Sequence, residues 1–182
     1  MRSTIASIES EYRRYKLLAE ASIHQLTEAQ LAQPEGGFVN SVATIAWHMS
    51  GNLKSRFTDF LTSDGEKPWR DRESEFQRRN VTHDELLREW EVGWKALFDS
   101  LENLDDGALA RSVTIRGSVL TVPEALHRSL AHVAYHVGQI VFIAKALRGT
   151  EWEHLSIPPG ESTEYNKNPT LEKAPRKRSD EH

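Results

Sequence analysis

Ala131-His132-Val133-Ala134-Tyr135-His136-Val137-Gly138-Gln139-Ile140 reads as buried helix interrupted by two histidines. Val133, Val137 and Ile140 recur at helical spacing, and the same apolar stripe runs back through Leu130 and Leu126 and on through Val141 and Ala144. His132 and His136 lie at the edge of that stripe. At about 100° per residue, a separation of four leaves their side chains about 40° apart on one helical face. Two imidazoles held that way can grip one metal ion as a rigid pair. They can equally be two unrelated boundary histidines, each with its own hydrogen bonds. His127 projects about 140° to 180° away from the pair and cannot join it.

Outward from this stretch, the pattern predicts four long helices. The last opens at Thr121 as N-cap, with Pro123 and Glu124 in its first turn, and runs to about Arg148-Gly149. Before it, two short β-branched runs flank Arg116-Gly117-Ser118 and read as a small hairpin. The third helix starts from Thr82-His83-Asp84-Glu85, a capping box, and carries Leu86, Leu87, Trp90, Trp94, Leu97 and Leu101. A charged, irregular segment from Glu66 to Asn80 precedes it. The second helix starts at Asn40 or Ser41 and carries Val42, Ile45, Ala46, Met49, Leu53, Phe57 and Phe60, before the Ser63-Asp64-Gly65 breaker. The first runs from about Ser3 to Gln30, with Ile5, Ile8, Tyr12, Tyr15, Ala19, Ile23 and Leu26 on one stripe, and ends at Pro34-Glu35-Gly36-Gly37. Helices this long and this apolar along one stripe must pack on each other, so the expected fold is an all-α four-helix bundle. Trp152, Leu155, Ile157 and Tyr165 sit in an otherwise polar tail and predict that residues 151–166 fold back on the body.

Composition sets the outer limits. The chain has 182 residues, 38% of them hydrophobic, and a net charge of −4, which suits one domain over residues 1–168. Residues 169–182 read as a disordered polar tail, and the basic cluster Lys173, Arg176, Lys177, Arg178 within it as solvated charge. With a pI near 6.1 there is no electrostatic case for nucleic-acid binding. The absence of cysteine excludes a disulfide framework, thiolate ligands and a cysteine nucleophile together. Met1-Arg2-Ser3-Thr4-Ile5 has no signal-peptide run, and no stretch reaches about 18 consecutive apolar residues. The expectation is a cytoplasmic protein without a membrane span.

A third histidine, His48, falls inside Val42-Ala43-Thr44-Ile45-Ala46-Trp47-His48-Met49. It lies about 120° from the centre of its helix's core stripe, alongside Asn52, Ser55 and Asp59. That stripe is either a solvated polar face or one turned into a cleft between helices. In the second case three neutral imidazoles would form an open metal site, of the kind that does chemistry rather than staple a fold. Asn52, one turn after His48, and Gln139, about one turn after His136, are candidates to orient the rings, since a metal-bound imidazole needs its other nitrogen held. His24, His83 and His154 read as surface or capping residues and His182 as a tail residue. No nucleophile elbow, phosphate-binding glycine loop or paired-carboxylate signature is present.

Ile45-Ala46-Trp47-His48-Met49-Ser50-Gly51-Asn52 and His132-Val133-Ala134-Tyr135-His136-Val137-Gly138-Gln139-Ile140 together resemble the DinB-like (YfiT-like) superfamily of metal-dependent four-helix-bundle proteins, over roughly residues 3 to 168. Residues 40–60, Asp64-Gly65-Glu66-Lys67 and Leu155-Ser156-Ile157-Pro158-Pro159-Gly160-Glu161-Ser162 look like a bacterial branch of unassigned function. The resemblance implies an up-down-down-up bundle, usually a homodimer, with a zinc, nickel or iron ion on three histidines, here His48, His132 and His136. It further implies a transferase joining a low-molecular-weight thiol to small electrophiles. A metal-dependent hydrolase and a non-enzymatic metal-binding stress-response dimer are the other readings. No motif ties the chain to one thiol or one substrate.

Overall fold

The computed structural model of the protein describes residues 2–34 and 40–170. The break at Glu35-Gly36-Gly37, the basic cluster Lys173, Arg176, Lys177, Arg178, and the tail from 171 on with His182 lie outside the described residues. The protein is mostly helical, with a single small hairpin among the described residues. In chain order come α1 (Ser3–His24), α2 (Glu28–Leu31), α3 (Val42–Phe57), α4 (Arg72–Glu75) and α5 (His83–Glu102). A 3-10 turn (Asp106–Ala110), β1 (Ser112–Ile115), β2 (Ser118–Thr121), α6 (Val122–Arg148) and α7 (Ser162–Tyr165) follow.

The long helices begin where side chains can satisfy free amides. Ser41 caps α3 by accepting from the Thr44 amide at 3.2 Å, and Thr82 with Glu85 and Thr121 with Glu124 form capping boxes at α5 and α6. Two boundaries differ from those read in the sequence. The first helix stops at His24, because Thr27 and Gln30 make a capping box of their own and start α2. The second stops at Phe57 rather than Phe60, because Thr58 is extended and Asp59 takes a left-handed φ of 50°. The charged segment also holds the one-turn α4, capped by Asp71.

α3 packs most closely on α5 and α1 on α6, while α3 also meets α6 and α1 meets α5. The largest buried side chains, Trp90 and Trp94 from α5 and Tyr12 from α1, lie inside this arrangement. The Tyr12 hydroxyl donates to the Leu126 carbonyl at 3.0 Å and so fastens α1 to α6. Trp152 packs on the same core from the tail, where Gln25 exchanges two hydrogen bonds with the Glu153 backbone, at 2.9 and 3.0 Å.

α3 and α5 approach so closely at Gly93 that a Cβ there would lie 2.5 Å from Ser50 Cα and 2.7 Å from the Ser50 carbonyl oxygen. Backbone cannot yield as a side chain can. Gly93→Ala should therefore destabilise the fold by about 1–3 kcal/mol, the usual range for overpacking, measured by urea denaturation. An unchanged midpoint would mean that the two helices are not held at this distance.

The start of α1 is held from far along the chain. Asp106 Oδ1 accepts from the Thr4 and Ile5 amides at 3.1 Å each, and Oδ2 from the Ser3 hydroxyl. The hydrogen bonds, led by that from Ile5, hold its carboxyl below the usual range. A carboxylate with a depressed folded pKa stabilises above its unfolded value of about 3.9, and this stabilisation is lost as pH falls through the folded one. Asp106→Asn should lower the melting temperature at pH 7, and the gap to wild type should close on acidification below about pH 4. A gap of the same size at pH 3 and pH 7 would remove the linkage.

The hairpin is docked beside the end of α3. Asp64 accepts from the Arg116 and Gly117 amides, both at 2.8 Å, and the Gly65 amide donates to the Thr114 carbonyl at 2.8 Å. Arg116 and Gly117 form the turn itself, with φ of 53° and 74°. This fixes Ile115, Arg116, Ser118 and Leu120 as one wall of a cavity against α3 and α6.

One helical segment, Val122–Glu151, is long and apolar enough by mean hydropathy (1.3) to cross a membrane, although none of its runs is uninterrupted. The same segment carries His127, Arg128, Ser129, His132, His136 and Gln139, a polar load that is costly in hydrocarbon. Its other face packs on α1 and α3.

Candidate metal centre

α3 brings His48, and α6 brings His132 and His136, to one point. His48 Nε2 lies 3.4 Å from His132 Nε2, and His136 Nε2 lies 3.2 Å from the same atom. One ring nitrogen from each lies within 4.8 Å of the others, so the group could hold a metal ion. Three nitrogens at tetrahedral angles, each 2.0–2.1 Å from zinc, stand about 3.3–3.4 Å apart. The two measured separations already match that spacing. His48 is only 5% exposed and Ser55 is buried too, so this part of the polar stripe faces a cleft between helices, while Asn52 is half-buried and Asp59, past the end of α3, is exposed.

The outer ring nitrogens settle which way two of the rings are protonated. His48 Nδ1 is 2.8 Å from Glu75 Oε2, and an ionised carboxylate only accepts, so Nδ1 donates. His136 Nδ1 likewise donates to Gln139 Oε1 at 2.7 Å. In the neutral rings both Nε2 atoms therefore present lone pairs towards His132. Three Nε2 atoms that converge with at most one proton among them, on His132, are poorly matched as hydrogen-bond partners and well matched as metal ligands. For His132 and His136 the surroundings favour the neutral ring. Burial, reinforced by the neighbouring His136, His48, Arg70 and Arg56, pushes His132 down to about 3. Burial also lowers His136, against the opposing hydrogen bond to Gln139.

Glu75 comes from α4, in the segment whose sequence carries no periodic signal. Arg70 clamps it, donating from Nε to Oε1 at 2.8 Å and from Nη2 to Oε2 at 2.9 Å. Burial alone would raise this carboxyl, but the hydrogen bonds from His48 and Arg70 and the Arg70 charge prevail and hold it below the usual range. Gly51 on α3 leaves the room it occupies, since a Cβ there would meet the Glu75 carboxyl group. Phe76 packs on the His48 ring, with centroids 4.6 Å apart. Asn52 lines the cavity beside His48, and Glu75 is the side chain on His48 Nδ1. A lone glutamate in a charged stretch offers no cue by which the sequence could reveal this. His127 is exposed on the opposite side of α6.

Residues 2–161 match a family described as a protein of unknown function, DUF1572. The chain belongs to this family. The match runs from the start of α1 past the end of α6 and so includes all three histidines together with Arg70, Glu75 and Gln139. No curated protein and no solved structure matches the chain. For this DUF1572 protein, the chemistry has to be read from the site.

Proposed function

We propose that this DUF1572 protein is a metal-dependent enzyme of the DinB-like type, an up-down-down-up four-helix bundle with one divalent ion on His48, His132 and His136. The observation that carries the reading is the pair of Nε2 separations, 3.2 and 3.4 Å, around rings whose outer nitrogens are tied to Glu75 and Gln139. The cyclic packing of α1, α6, α3 and α5 supports the bundle. A divalent ion on three imidazoles supplies Lewis acidity, bringing the pKa of a bound water or thiol towards neutrality. Glu75 and Gln139 keep the rings oriented for it, and Phe76 shields His48. The cavity of about 370 Å³ beside His48 and His132 is of small-molecule size.

The reaction we assign is transfer of a low-molecular-weight thiol to a small electrophile. A carbon–sulfur bond forms, and the leaving group departs with the thiol proton. The chain has no cysteine, so the sulfur must come from a cosubstrate. The test is elemental analysis of untagged protein, followed by thiol-dependent loss of monochlorobimane. About one divalent ion per chain and turnover only with thiol are expected. Thiol-independent ester cleavage would replace the transferase reading with the hydrolase one. Tight metal binding without turnover would leave the metal-binding module.

We further propose a homodimer. Tyr135 and Phe142, 64% and 61% exposed, lie seven residues apart on the outer face of α6 and give an apolar strip for a second copy. Trp47 is instead half-buried, with the Arg79 guanidinium 4.4 Å over its ring. Sedimentation at micromolar concentration should give a dimer, and Phe142→Glu should give the 20.7 kDa monomer. A monomer at every concentration would exclude the dimer.

A further inference from the structure

The cavity beside the histidines has an unusual wall. Arg56, Arg70, Arg72, Arg116 and Arg128 line it, and among the described residues no aspartate or glutamate does. The acids that pair with these arginines are outside the lining. Glu66 takes Arg56 and Arg116, Glu73 takes Arg72, and Glu75 takes Arg70. Five guanidinium groups thus face three carboxylates, and Arg128 has no ion-pair partner among the described residues.

Arg70 carries the point further. Its side chain is 2% exposed. Glu75 uses Nε and Nη2, which lie along one edge of the planar fork. Nη1, on the other side, is buried without a hydrogen-bond acceptor among the described residues. A buried charged donor with no acceptor costs stability, and this one belongs to a residue of the cavity wall. The rest of the lining divides in two. Phe57, Phe60, Ile115 and Leu120 form an apolar portion, while His48 and His132 stand at the metal end.

We propose that this cavity binds a small organic anion, a molecule with an apolar body and a carboxylate or phosphate group, its charge taken by Arg70 Nη1 and Arg128. Both groups match a guanidinium fork, whose donors suit planar or tetrahedral oxyanions. Anion binding depends on the arginines alone. That the anion is the substrate or cosubstrate of the reaction rests on the metal-enzyme reading above.

The test uses isosteres of one size. Benzoate, phenyl phosphate and neutral benzamide are titrated calorimetrically into protein dialysed against chelator and into protein reloaded with zinc. Benzoate or phenyl phosphate should bind the metal-free protein at least about tenfold more tightly than benzamide, with affinity falling as salt rises. The preferred anion identifies carboxylate or phosphate as the natural head group. Arg128→Glu, an exposed change on α6 at a residue with no ion-pair partner among the described residues, should lower anion affinity about tenfold or more, leaving benzamide binding and the melting temperature unchanged. Arg70→Gln adds a second reading if its melt remains cooperative. Equal binding of benzoate and benzamide, no binding of either anion at millimolar concentration, or an Arg128→Glu protein with wild-type anion affinity would overturn the proposal. Selective anion binding by a protein that takes up no metal would instead uphold it while defeating the metal reading.

Discussion

His136→Ala protein should retain less than about a tenth of an ion per chain after dialysis, where wild type retains about one, while His127→Ala protein should match wild type. Losing a group that only orients a ligand costs 10- to 100-fold in metal affinity, and losing one of three ligands should cost more than that. The two histidines are on one helix nine residues apart, so effects on helix propensity are comparable, but their directions differ by about 180°. The fold should survive both changes. His136 is at the edge of the apolar stripe, and Val133, Val137 and Ile140, all fully buried, remain in place. Circular dichroism checks the fold and elemental analysis the metal. Equal metal content in the two variants would sink the site assignment, and the same comparison with His48→Ala asks whether α3 contributes a ligand.

How much of this was legible in the sequence depends on the range of the interaction. Helical periodicity is local, so the stripes of α3, α5 and α6, the box at Thr82 and the N-cap at Thr121 could be read directly. The break at His24 was not, because Ile23 and Leu26 continue the apolar stripe across it, and only the Thr27–Gln30 box betrays the new start. The four-residue spacing put His132 and His136 on one face by geometry alone. His48 was ambiguous for a physical reason. A polar residue on a solvated face and one in a cleft between helices have the same angular position, and burial decides between them. Glu75 and Arg70 left no trace, since neither belongs to a periodic element and their link to His48 spans the breaker and the irregular segment. The cavity's arginines come from α3, the charged segment, the hairpin and α6, a convergence that only tertiary packing produces.

Substituting Glu75 should separate stability from metal affinity. Glu75→Ala leaves the Arg70 guanidinium buried with its two former hydrogen bonds unmade and Nη1 already without an acceptor among the described residues. Breaking a buried ion pair from one side costs about 3–5 kcal/mol. Against the 5–15 kcal/mol that holds a typical domain together, this is a large fraction, and the alanine protein should unfold at markedly lower urea. Glu75→Gln keeps the shape and one acceptor oxygen, so it should be less destabilised. Its amide nevertheless offers one acceptor oxygen where the carboxylate offers two: at the Oε2 position it accepts from His48 and Arg70 Nη2 but turns the NH₂ against Arg70 Nε, and at the Oε1 position it accepts from Arg70 Nε alone. In the second placement the amide NH₂ faces His48 Nδ1, which must then accept, and the ring proton moves to Nε2. The nitrogen needed by the metal is then protonated. Metal affinity in Glu75→Gln should accordingly fall 10- to 100-fold, the range for lost outer-shell partners, while Gln139→Leu should give a comparable loss through His136. Urea melts of metal-free proteins measure the first effect and competition with a fluorescent chelator the second. Wild-type metal affinity in both the glutamine and the alanine variants would refute the ring-orienting role of Glu75, leaving it as a structural partner of Arg70 alone.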